Sequence, residues 1–134
     1  MKIFIDTNVL ISAALFPKGI AYQAYMKAVS YPNHGVVCDQ NIDELRRIFN
    51  RKFPSKLHVL EAFLIMAVAD IEIISSPILV VNDENLIRDK NDRAILRAAE
   101  YAKADILLTG DKDFLESGIK NPRILSPGDF LMIK

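Results

Sequence analysis

Four carboxylates, Asp6, Glu44, Asp92 and Asp111, stand where a chain of alternating strands and helices keeps its reactive groups. Asp6 follows the apolar run Ile3-Phe4-Ile5, which reads as a strand buried on both faces, and a helical pattern begins soon after at Val9. Glu44 falls in the first turns of the helix after a second apolar run, Val36-Val37-Cys38. Asp92 lies three residues before Ile95, in the first turn of a helix whose face is Ile95, Ala98, Ala99 and Ala102. Asp111 stands in the Thr109-Gly110-Asp111 turn that ends a further expected strand, Asp105 to Leu108. Carboxylates gathered in one pocket repel each other and take up protons unless a cation neutralises them. Oxygen ligands of this kind suit Mg²⁺ or Mn²⁺, and a divalent metal held by several acids fits hydrolysis of a phosphodiester.

Each acid taken singly has a plainer use. Asp6, Asp89 and Asp92 can cap helices, and Asp111 and Asp113 can serve a turn. Their joint placement carries the argument, and it depends on the elements around them. Val9 to Phe16 reads as a short helix broken by Pro17-Lys18-Gly19, and Ile20 to Ser30 as a second helix. Tyr31 to Gly35 is a loop. After the strand at Val36, Asp39 or Asn41 caps a helix with the core stripe Ile42, Leu45, Ile48 and Phe49. Asp43 falls on its solvent side with Arg46, Arg47 and Asn50, while Glu44 looks inward. A helix is expected from about Ser55 to Ala69, then a strand over Ile71 to Ile74. Ser75 to Arg88 is a longer connection containing an extended stretch, Ile78 to Val81. Beyond Asp111, a brief helix near Phe114, a short strand Arg123 to Leu125 and a terminal turn at Ser126-Pro127-Gly128 complete the chain. This alternation predicts an α/β fold, doubly wound about a parallel sheet. In such a sheet the loops leaving the carboxyl ends of the strands share one edge, so the four acids meet there.

Composition sets the remaining bounds. At 134 residues, 51% hydrophobic and 25% charged, the chain is expected to be one globular domain over residues 1–134. The formal net charge is zero, so any polyanion partner must be held by a local patch. The single cysteine, Cys38, reads as a small core residue, in keeping with a cytoplasmic protein. The apolar runs are too short to cross a bilayer, so no membrane association is expected. The only histidines are His34 and His58, which with Cys38 make no zinc spacing. No Ser/His/Asp arrangement or glycine-rich phosphate loop competes for the chemistry.

Four motifs now resemble a known family. D-T-N-V-L at Asp6 to Leu10, D-E-L at Asp43 to Leu45, R-D-K-N-D-R-A-I-L-R-A-A from Arg88 to Ala99, and T-G-D-K-D-F from Thr109 to Phe114 resemble the PIN-domain nucleases. The order and spacing match over nearly the whole chain, most of all with the small prokaryotic PIN proteins that act as toxins of toxin–antitoxin pairs. The resemblance implies an α/β/α sandwich with a sheet of about five parallel strands in an order near 3-2-1-4-5. It also implies a Mg²⁺- or Mn²⁺-dependent ribonuclease, a protein antitoxin that blocks the site, and a homodimer. Carried over by motif, Asp6, Glu44, Asp92 and Asp111 would be both the catalytic and the metal-binding acids. Asn8 and Thr109 would position a ligand water or carboxylate, and Asp113 would be an auxiliary acid.

The chain departs from relatives that read R-D-P-D-D-N, having Arg88-Asp89-Lys90-Asn91-Asp92-Arg93 instead. Asp89 therefore stays an alternative to Asp92, which is favoured because it immediately precedes the Ala/Ile stripe. Lys90 and Arg93 make this edge less negative than in those relatives. For substrate grip, Arg46, Arg47, Arg51 and Lys52, with Lys56 beyond, form a basic run that would hold RNA phosphates, or else a solvated helix face. Tyr22, Tyr25 and Tyr31 are candidates for stacking on bases, although Tyr25 fits a core stripe better. Two other readings compete. One is a silent PIN-fold module that binds RNA or protein. The other is a phosphatase with an aspartate nucleophile, which would need a second Asp where Asn8 stands.

Overall fold

Three successive residues that no water reaches, Ile3, Phe4 and Ile5, form the centre of the sheet. In the computed structural model, which describes residues 1–77, 83–87 and 89–133, they belong to β1 (Lys2–Ile5). β1 pairs in parallel with β2 (His34–Cys38) on one side and with β4 (Ile106–Leu108) on the other. β3 (Ile71–Ile74) extends the sheet beyond β2, and β5 (Arg123–Leu125) extends it beyond β4. The order is β3-β2-β1-β4-β5, all parallel, as the family resemblance implied.

The alternation of strand side chains divides the core into two layers. Ile3, Ile5, Val37, Ile106 and Leu108 face one layer, with α1 (Thr7–Leu15), α2 (Ile20–Val29), α3 (Asp39–Lys52), α4 (Leu57–Asp70) and α7 (Pro127–Met132) contributing to it. Phe4, Val36, Cys38 and Leu107 face the other, against Ile95, Leu96, Ala98 and Ala99 of α5 (Lys90–Tyr101) and Phe114 of α6 (Lys112–Leu115). The alanines let α5 lie close on the sheet. Cys38 is a buried free thiol in this second layer.

Several boundaries differ from the expected ones, each for a local reason. α1 starts at Thr7 rather than Val9, because the Asp6 carboxylate accepts the Thr7 N–H at 2.8 Å. β2 starts at His34, inside the expected loop. Gly35 belongs there because a Cβ would stand 2.8 Å from Val29 Cγ1 of α2. α3 is capped neither by Asp39 nor in the forward sense by Asn41. Cys38 occupies the N-cap, and Asn41 reaches back so that its Oδ1 accepts the Cys38 N–H at 2.8 Å. The expected Ser55–Ala69 helix begins as a short 3₁₀ turn, Pro54–Lys56, before α4. The terminal turn is a full helix, α7. Ser126 caps it, and its carboxyl end is held by Lys27 Nζ, which donates to the carbonyls of Phe130 (2.7 Å) and Ile133 (2.5 Å). The expected extended stretch Ile78 to Val81 lies outside the described residues, as do Arg88 and the side chain of Lys90.

α4 carries apolar residues on its solvent side as well as its buried one, and it leaves Ile65, Met66 and Val68 exposed. Among the described residues no helix is long and apolar enough to cross a membrane.

Candidate metal centre

The acids sit where strands end and helices begin. Asp6 follows β1 and caps α1; Asp111 follows β4 and caps α6, its Oδ1 accepting the Asp113 N–H at 2.9 Å. Asp92 lies in the first turn of α5. Negative charge is tolerated best at such helix starts, where backbone N–H groups point outward. The capping role and the cluster are therefore compatible, and the same carboxylates fill both.

Among the described residues, Asp92, Asp111 and Asp113 can each bring one carboxylate oxygen within 4.8 Å of the others. Asp6 is not in this group but is wired to it. Its Oδ2 accepts the Thr109 hydroxyl at 2.8 Å, and Thr109 Oγ1 in turn accepts the Asp111 N–H at 3.0 Å. With Thr7 N–H on its other oxygen, the Asp6 carboxylate has one fixed orientation although it is only 5% exposed. Asn8 Oδ1 accepts the Gly110 N–H at 3.2 Å and joins the loop after β1 to the loop after β4.

Burial and mutual repulsion act on these groups in the same direction. Desolvation pushes Asp6 up to about 6 despite the opposing hydrogen bonds from Thr109 and Thr7, with Glu44 and Asp111 adding to the rise. Desolvation also pushes Asp92 up to about 7, reinforced by Asp6, Asp111 and Asp89. Glu44 is raised by desolvation, with Arg47 and the Thr7 hydroxyl pulling the other way. A hard divalent cation would relieve this repulsion. The group consists of carboxylates alone, the donor type that Mg²⁺ and Mn²⁺ take.

A cleft of about 790 Å³ opens beside the group. Glu44, Arg47 and Arg51 of α3 line it together with Asp89 and Asp92. Asp92 thus belongs to the three-acid group, while Asp89 lies in the cleft wall. Arg46, in contrast, pairs with Glu61 of α4 on another face of α3, and Lys52 is exposed near the end of that helix. Arg93 turns its Nε to the Ile87 carbonyl at 2.9 Å. One turn further along α5, Arg97 makes a two-pronged pair with the buried Glu84, both contacts at 2.6 Å, and the two arginines fasten residues 84–87 to the helix.

Two aromatic candidates lie away from the acids. Tyr25 is in the core against Phe63, with ring centroids 5.1 Å apart, and Tyr31 is exposed ahead of the amino end of β2.

Sequence reasoning missed some of the lining. Asp39 and Asp43, read as a cap and as plain surface, both border the cleft. Asp39 Oδ1 accepts from the Ser76 N–H (3.0 Å) and hydroxyl (2.5 Å), tying the start of α3 to the end of β3. Asn41 is fully buried and donates to Thr7 Oγ1 at 2.9 Å. The signal for Asn41 was present, since an amide three residues into a helix is a capping-box position. Nothing in the spacing announced Ser76.

Comparisons with known proteins agree with this architecture. An uncharacterized protein of Methanocaldococcus jannaschii is 28% identical over 120 residues, covering 86% of this chain and 74% of its own. The crystal structure of VapBC2 from Rickettsia felis, bound to a DNA fragment from their promoter, holds a similar chain. It superposes with a TM-score of 0.71 at 18% identity, over 94% of this chain and 98% of that one. Mycobacterium tuberculosis VapC20, described as a Sarcin-Ricin loop cleaving toxin, superposes with a TM-score of 0.60 at 13% identity, over 87% and 95%. The PIN-domain family model matches residues 2–113, which includes all four acids, and the chain belongs to the PIN-domain family.

Proposed function

We propose that the protein is a metal-dependent endoribonuclease that hydrolyses phosphodiester bonds of single-stranded RNA. The observation that carries this reading is the convergence of Asp92, Asp111 and Asp113 on one sheet edge, with the buried Asp6 wired to Asp111 through Thr109. In this reading Asp6, Asp92, Asp111 and Glu44 hold Mg²⁺ or Mn²⁺, with Asp113 beside them and Asp89 at the outer wall. When bound, such a cation supplies a water of lowered pKa and stabilises charge developing on a phosphate. The chain's own part is orientation. Thr7 and Thr109 fix the Asp6 carboxylate, Asn8 holds the Gly110 loop, and the helix starts accommodate the negative charge. Arg47 and Arg51 stand in the cleft wall where they would grip backbone phosphates.

The role of a toxin paired with a protein antitoxin is part of the same proposal. It is supported by family membership and by the fold shared with the VapBC2 and VapC20 chains. A homodimer is proposed as well, and the exposed Ile65, Met66 and Val68 of α4 favour a protein contact. An RNA substrate would place its work in the cytoplasm.

The test is cleavage of a mixed-sequence single-stranded RNA with Mn²⁺, with EDTA, and by Asp6→Asn. Cleavage that requires both the metal and Asp6 is the expected result. A folded protein that neither cleaves nor binds Mn²⁺ would overturn it in favour of a silent binding module.

A further inference from the structure

A second, smaller hollow opens on the other side of the acids from the arginine-lined cleft. It measures about 230 Å³ and is lined by Asn8, Val9, Ser12, Ala21, Gly110 and Pro127. These residues follow β1, β4 and β5 or lie in α2, whereas the larger cleft is lined from α3, the end of β3 and the start of α5. Asn8 and Gly110 join the hollow to the acid group, since their mutual hydrogen bond is part of the loop that leads to Asp111.

The hollow is below the roughly 300–1,000 Å³ of pockets that enclose drug-sized ligands. It suits one flat ring rather than a helix or a strand. Its walls are small and largely apolar, with the Ser12 hydroxyl and the Asn8 amide as polar groups. Asn8, Ser12 and Phe16 recur at intervals of four along α1 and its end, about 12 Å in all at 1.5 Å per residue. Phe16 is 63% exposed, which is unusual for a phenylalanine, and the exposed cation Lys18 is two residues away. An exposed ring and an exposed cation close to it in sequence supply the two elements, stacking and attraction to phosphate, by which proteins hold unpaired bases.

We infer that this hollow is a nucleobase subsite. An unpaired base next to the scissile phosphate enters it, Ser12 limits which base fits, Phe16 stacks on the following base, and Lys18 faces the backbone. The inference rests on the ribonuclease reading and deepens it by adding a side of the substrate that the acids and arginines do not contact.

The test uses a fluorescein-labelled 12-nucleotide RNA of mixed sequence, with binding read on the Asp6→Asn background so that the probe stays intact. Cut positions are mapped with the otherwise wild-type protein. Phe16→Ala should weaken binding by about 5- to 150-fold, the range for loss of one stacked base, and Phe16→Trp should restore it. Ser12→Leu, which fills the hollow, should change the base preferred beside the cut and raise KM, with Mn²⁺ affinity unaltered. If the wild-type protein cleaves and all three variants match it in affinity and cut pattern, the subsite is overturned and the nuclease reading stands. If the variants alter the sedimented mass and leave RNA binding alone, the hollow is a protein contact and the subsite is again overturned. If the wild-type protein cleaves no RNA with Mn²⁺ and the Asp6→Asn protein binds no probe, the nuclease reading itself fails, and the subsite with it.

Discussion

The two flanks of the acid group differ in size and in chemistry, although one sheet edge builds both. On the α3 side the cleft is about 790 Å³, and five acids and two arginines line it. On the α1 side the hollow is about 230 Å³, and its lining carries no charge. The difference follows from which helices reach the edge. α3 presents long charged side chains from its solvent-facing turns, while α1, α2 and the α7 start present Ser12, Ala21 and Pro127. In the proposed function the charged flank holds phosphates, so its contribution depends on salt, whereas in the inferred subsite Ser12 and Phe16 read bases, so their contribution does not.

The acids between the flanks give the largest expected effect. Asp6→Asn should lower Mn²⁺-dependent cleavage by at least about 100-fold, because even residues that only support metal ligands cost about 10- to 100-fold. Turnover and Mn²⁺ titration would check this, and unchanged turnover would remove the centre to which both flanks are referred. Next is the support of the charged flank. Arg97→Ala removes the two-pronged guanidinium partner of the buried Glu84 and should lower the melting temperature, by less than the loss of a fully buried pair because Arg97 is partly exposed. Thermal unfolding would show the loss.

The pH dependence of the metal-free protein has a definite sign. Asp6 is raised from 3.8 to about 6 and Asp92 from 3.8 to about 7, so the folded state binds more protons than the unfolded chain between these limits. Stability is therefore greatest below pH 4 as far as these two groups are concerned. It is lost as pH rises to about 7, on the order of 3 kcal/mol for Asp6. Saturating Mn²⁺ should flatten that slope, which melting curves at pH 5 and pH 8 with and without the ion would reveal.

A smaller effect separates the flanks directly. Arg47→Ala and Arg51→Ala should each weaken RNA binding by about 5- to 10-fold and reduce its dependence on salt, whereas Phe16→Ala should leave the salt slope unchanged. Identical slopes for all three would erase the distinction. Least of all, Arg46→Ala should cost under about 1 kcal/mol and alter RNA binding little, because its exposed pair with Glu61 lies on another face of α3.

Much of this was legible in the order of residues. The short apolar runs marked β1, β2 and β4, because strands covered on both faces need apolar side chains at consecutive positions. Asp6 directly follows one of those runs and Asp111 follows another after Thr109-Gly110, so the topology of a parallel sheet brought them to one edge without knowledge of any distance. The helical period likewise put Asp92 on the buried side of α5 and Tyr25 in the core. The sheet order and the roles assigned to the acids came from motif resemblance, which strand pattern alone does not supply.

Tertiary structure decided what sequence separation hides. A helical period says which residues share a face but not what stands opposite. The run Arg46-Arg47-Arg51 looked like one basic patch, yet Arg46 meets Glu61 of α4 while Arg47 and Arg51 border the cleft. Asp113 joins Asp92 and Asp111 because the β4–α6 turn and the start of α5 meet in space, across 21 residues of chain from Asp92 to Asp113. Asp39 finds Ser76 across 37 residues, and Glu84 finds Arg97 across 13. Local residue types determine where strands and helices start, through apolar pattern and capping. Such pairings arise only when separate elements close around a common core and long polar side chains settle on whichever partners that packing leaves within reach.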